Sequence, residues 1–80
     1  MKELSFRTKQ VIILLSKEKV PRSIGYISRK LNMLYPNMFT LADRMEFKHK
    51  LIKTTKDHKN GTRLILLTDL GKEKAKEELK

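Results

Sequence analysis

The pair Asn60-Gly61 separates an extended segment opened by Leu51-Ile52 from Thr62-Arg63-Leu64-Ile65-Leu66-Leu67. Asn-Gly is the strongest short hairpin signal, because the tight turn needs positive φ at both central residues. A hairpin alone is marginal in water, so the rest of the chain must supply the surface on which this one packs. The chain has 80 residues and no cysteine, which leaves a single core without disulfide or thiolate-metal support. That favours a reducing, intracellular setting.

Helical signals fill most of the remainder. Ser5 can cap a first helix to about Lys17, with Leu4, Val11, Leu14 and Leu15 toward the core. The run Val11-Ile12-Ile13-Leu14-Leu15 also suits a buried strand, but no turn signal precedes it and Val20-Pro21 gives a natural helix stop. Ser23 stands at the N-cap of a second helix carrying Ile24, Ile27 and Leu31, and Asn32 suits the left-handed end. Pro36 fits the first turn of a third helix, whose apolar stripe is Met38, Leu41 or Ala42, and Met45, up to about Lys48. Thr68 caps a last helix from Asp69 to about Leu79.

The expected fold is therefore mostly α with a small antiparallel β-hairpin, in the order helix-helix-helix-strand-strand-helix. One domain spans residues 1–80, with a helix-turn-helix at about 23–48, a wing at about 51–67 and a C-terminal helix at about 69–79. Two helices joined by a short turn and followed by a hairpin form a winged helix-turn-helix, whose second helix enters the DNA major groove.

Charge points the same way. Nineteen Lys+Arg against nine Asp+Glu give +10, and the whole excess lies before residue 69, since residues 69–80 hold four of each sign. Residues 48–63 alone carry Lys48, Lys50, Lys53, Lys56, Lys59 and Arg63 against Asp57, a net +5. Such a field attracts polyanions, nucleic acid first and an anionic membrane surface second, although lysine-rich surfaces also serve solubility.

The sequence resembles the MarR-like regulators over residues 22–79. Ile27, Ser28, Leu31, Asn32, Met33, Met38 and Leu41 fall on the helix-turn-helix pattern, with Ser28 as the small residue and Asn32 in place of a glycine. Asp43, Arg44, Met45, Glu46, Leu51 and Ile52 match the family's recognition helix and first wing strand, and Leu67, Thr68, Asp69 and Gly71 its second strand and following helix. The chain departs from that pattern in three ways. The link from Glu46 to Leu51 is one residue longer, with Lys50 where glycine is common; the wing is about one residue shorter; and there is little room for the family's long terminal dimerisation helices.

The resemblance implies a transcription regulator that binds double-stranded DNA sequence-specifically. With the apolar stripe inward, Asn37, Thr40 and Arg44 face the bases, joined by Phe39, Phe47 and Lys48. Asn matches adenine, arginine bridges guanine acceptors, and threonine or phenylalanine meets a thymine methyl. For Arg44 the structural alternative is an ion pair with a neighbour such as Asp43. For Phe39 and Phe47 it is a core or dimer contact. Lys56, His58, Lys59 and Arg63 are expected on the backbone or minor groove, with Arg63 in the groove itself. Their alternative is a solvated edge strand whose lysines prevent aggregation. Ser23 and Tyr35 can donate to phosphate from helix starts, and Ser23 can cap as well. About five phosphate contacts give a log-log salt slope of roughly −4 to −5 per subunit.

Other classes find less support. His49 and His58 cannot complete a tetrahedral zinc site without acids. No phosphate-binding glycine loop or catalytic set is present, so neither an enzyme nor a cofactor is expected. The longest aliphatic run is Val11–Leu15 and Met1-Lys2-Glu3 opens no secretory signal, so neither a membrane span nor export is expected. The expectation is a cytoplasmic, nucleoid-associated homodimer joined through its first and last helices, with any small-molecule effector unidentified. The alternative is a winged-helix protein-interaction module, which a continuous exposed patch of Met33, Met38, Phe39 and Phe47 would favour.

Overall fold

A computed structural model describes residues 4–18, 20–56, 59 and 61–79. Helix α1 (Phe6–Lys17) starts as expected, with Ser5 Oγ accepting the Thr8 N–H. Its core face is Val11, Ile12 and Leu15, while Leu4 and Leu14 pack at the margin of the core. The chain then forms a strand that hydrophobic pattern does not reveal, β1 (Arg22–Ser23), whose two residues are too few to show a period of two. The order is therefore helix, strand, helix, helix, strand, strand, helix.

Helix α2 (Ile24–Lys30) is capped by Ser23, whose side chain accepts from Tyr26 N, and the chain leaves it through Asn32 at φ 55. Helix α3 (Tyr35–Asp43) has Pro36 in its first turn and buries Met38, Leu41 and Ala42. Strands β2 (Ile52–Lys56) and β3 (Arg63–Leu67) pair antiparallel from Ile52↔Leu67 to Lys56↔Arg63. The sheet order is β1-β3-β2, so the short strand covers the second edge of β3. Helix α4 (Asp69–Glu78) is capped by Thr68, as expected.

One core joins these elements. Ile12, Ile27, Met38, Met45, Leu51, Ile52 and Ile65 are all buried to 2 % exposure or less. Each such side chain contributes roughly 1.5–3 kcal/mol over leaving it in water. For helices as short as α2 and α3 this packing outweighs intrinsic propensity and fixes which face turns outward. Ser28 is buried beside this core and donates to the Gly25 carbonyl at 2.9 Å, so its hydroxyl is satisfied without widening the α2–α3 contact.

The helix widens in the segment between Asp43 and Leu51. Arg44–Lys48 continue α3 as a π-helical turn, in which the His49 N–H reaches back five residues to the Arg44 carbonyl at 3.1 Å. Lys50 then adopts φ 59, the left-handed conformation for which glycine is favoured. Leu51 donates to the Met45 carbonyl at 2.9 Å, which turns the chain into β2 with Met45 and Leu51 both in the core.

Candidate nucleic-acid interface

Burial of Met38, Leu41, Ala42 and Met45 leaves Asn37, Thr40 and Arg44 exposed on the other side of the α3 rod, with Lys48 exposed one turn further on. Thr40 Oγ1 donates to the Pro36 carbonyl at 3.1 Å, which orients its methyl and oxygen. Arg44 is in no ion pair among the described residues, because its neighbour Asp43 pairs with Arg63. Tyr35, at the start of α3, is 54 % exposed, and its ring lies 6.4 Å from that of Phe39.

Ser23 is occupied as a cap at 3.1 Å from Tyr26 N. Behind it, the Tyr26 hydroxyl donates to Glu18 at 2.8 Å, Arg22 donates to the same carboxylate at 3.0 Å, and the Arg22 guanidinium sits 4.7 Å over the Tyr26 ring. The Tyr26 hydrogen bond, aided by Arg22, holds the Glu18 carboxyl below its ordinary pKa. The same bond raises the Tyr26 phenol. This cluster ties the end of α1 to the start of the helix-turn-helix.

In the wing, Lys56 ends β2 and is exposed, as is Lys59; Gly61 takes φ 70. The last pair of the ladder is Lys56↔Arg63, so residues 57–62 lie between the strands and the connection is longer than the tight Asn60-Gly61 turn expected from sequence. His58 and Asn60 lie outside the described residues. Arg63 stands at the base of the wing, with its guanidinium turned onto α3: Nη2 donates to Glu46 at 2.9 Å and Asp43 at 3.3 Å, and Nε to Thr54 at 3.3 Å. An arginine seen only as one of several wing cations gives no sign in sequence of pairing with acids 17 and 20 residues away.

Arg7 is the interface neighbour that spacing does not reveal. It donates to the Leu31 carbonyl at 3.0 Å, pinning the turn between α2 and α3, and lines a shallow cleft with Met33, Asn37, Thr40 and Arg44. A larger groove of about 550 Å³ lies elsewhere, between the end of α1, the outer face of the sheet at Lys53 and Leu66, and α4 at Ala75 and Leu79.

This architecture is a winged helix-turn-helix, as the MarR-like resemblance implies for the fold. Three kinds of solved structure share it. A ZitR variant from Lactococcus lactis is 19 % identical with TM-score 0.85, over 98 % of this chain and 52 % of that one. The adhesin competence repressor AdcR from Streptococcus pyogenes is 20 % identical with TM-score 0.87, over 96 % and 55 %. Heme-free PefR is 24 % identical with TM-score 0.85, over 96 % and 67 %. The chain thus spans just over half the length of ZitR and AdcR. No protein-family model and no curated protein matches the sequence.

Proposed function

We propose that the chain is a MarR-like transcription regulator that binds double-stranded DNA sequence-specifically, with α3 in the major groove and the wing on the backbone or minor groove. The observation that carries this reading is the division of α3. One side is fixed in the core by Met38, Ala42 and Met45, each at 0 % exposure, and the other offers Asn37, Thr40 and Arg44 to solvent. These are side chains able to read base edges, on a helix of the right size for the groove. Lys48, Lys56 and Lys59 would meet phosphates, with Ser23 and Tyr35 donating at the helix starts. AdcR is itself described as a repressor, which agrees with a regulatory role.

The functional unit is a homodimer, because two modules reading a palindrome gain both affinity and specificity. The α1–α4 side supports this. Its groove exposes Val20 and Leu79, at 53 % and 55 %, around a floor of Leu15 and Leu67, and α3 does not line it. A cytoplasmic, nucleoid-associated location goes with this function. The protein-interaction alternative needs Met33, Met38, Phe39 and Phe47 as one exposed patch. Met38 is wholly buried and Phe39 carries the Arg63 guanidinium 5.3 Å from its centroid, so that patch is not available.

Selection from a random duplex pool tests the reading. Enrichment of one motif with two symmetric half-sites is expected; recovery of unrelated sequences would overturn sequence-specific binding.

A further inference from the structure

Carboxylates on a recognition helix oppose its task, since a negative charge near the groove repels the phosphates that lysines attract. This helix carries two, Asp43 and Glu46, and one wing cation holds both. Arg63 Nη2 lies 2.9 Å from Glu46 Oε1 and 3.3 Å from Asp43 Oδ1. Its plane packs over Phe39, one turn before Asp43. Thr54, on the other wing strand, donates to the same Glu46 oxygen at 2.9 Å and accepts from Arg63 Nε. Recognition helix and both wing strands therefore meet at one guanidinium, whose planar fork can serve two acids and an aromatic face as an ammonium cannot.

We propose that Arg63 is a positioning residue for DNA recognition, not a DNA contact. It neutralises Asp43 and Glu46 and locks the wing to the recognition helix, so that the two meet the duplex as one body of fixed reach. The inference rests on the DNA-binding reading above and revises the expectation that Arg63 enters the minor groove. To do so its side chain, only 27 % exposed, would have to leave two carboxylates uncovered beside the DNA.

A mutant cycle tests it. Affinity for the selected duplex is measured by fluorescence anisotropy for wild type, R63Q, D43N/E46Q and the triple variant, at a temperature where circular dichroism finds all four folded. A purely structural role would then leave affinity unchanged. R63Q is expected to weaken binding about tenfold or more in the wild-type background, because it leaves two carboxylates unneutralised beside the phosphates. In the D43N/E46Q background it should cost under about threefold, the mark of coupling. Equal losses in both backgrounds, or none in either, would overturn the proposal. Should R63Q not fold, R63K takes its place: a loss confined to the wild-type background supports the proposal, and any other pattern refutes it. A wild-type protein that binds no duplex defeats the DNA reading itself, whereas binding without coupling defeats only the role of Arg63.

Discussion

The Leu51 carbonyl accepts the Thr68 N–H at 3.0 Å and lies against Gly71 so closely that a Cβ there would enter the oxygen. This contact joins the exit of the helical segment ending at Lys48 to the first turn of α4. Alanine is ordinarily better than glycine in a helix by about 1 kcal/mol. Here overpacking wins, and Gly71→Ala should destabilise the protein by about 1–3 kcal/mol in urea unfolding. Gly25, also helical, has room for a Cβ, which would meet Tyr35 at 3.9 Å and Ser23 at 4.0 Å, ordinary contact distances. Gly25→Ala should be neutral or stabilising by up to about 1 kcal/mol. The same sign for both substitutions would contradict this account.

Lys50 holds a left-handed conformation at φ 59 directly after the π-helical turn. Glycine relieves that strain at some entropic cost, so Lys50→Gly should raise stability by about 0.5 kcal/mol, and Lys50→Val should lower it by about 1 kcal/mol or more. Chemical denaturation decides the order of the three; valine as stable as lysine would refute the assigned backbone conformation.

The Glu18–Tyr26 bond makes stability depend on pH at both ends. Glu18 is held below its ordinary pKa, so its contribution is complete above the unfolded value and is lost as pH falls through the folded one. Tyr26 is raised, so its contribution is complete below the unfolded phenol value and is lost as pH rises through the folded one. Tyr26→Phe should return the Glu18 carboxyl toward its ordinary value in an NMR titration. The stability difference between variant and wild type should shrink in acid. An unmoved Glu18 titration would remove Tyr26 as its main partner.

Arg44 and Lys56 should fail differently. Arg44→Ala is expected to cost about 1–3 kcal/mol on the selected duplex and relax one base position, whereas Lys56→Ala weakens all sequences alike and reduces the salt slope by about 0.9. Equal losses for Arg44→Ala on selected and random DNA would exclude it from base reading.

Much of this was legible in the sequence because local chemistry decided it. Ser5, Ser23 and Thr68 cap the helices they precede, Asn32 takes the left-handed turn, and the stripe from Met38 to Met45 is buried. What escaped depends on partners distant in the chain. Arg22 and Ser23 become a strand only because Ile65 and Leu64 offer an edge. Arg63 turns inward because folding brings Asp43 and Glu46 to it, and Arg7 reaches a carbonyl 24 residues away. The π-helical turn before Leu51 also goes unseen in the sequence, because it accompanies the burial of both Met45 and Leu51 in the core.

The central claim is that α3 reads bases while the wing neutralises phosphates. Anisotropy of the selected duplex and of a random duplex of equal length, titrated with salt, measures both parts at once. The account predicts a log-log slope of roughly −4 to −5 per subunit on the selected site. It also predicts tighter binding there than on random DNA by at least about three orders of magnitude. A slope near zero, or equal affinity for the two duplexes, would contradict it.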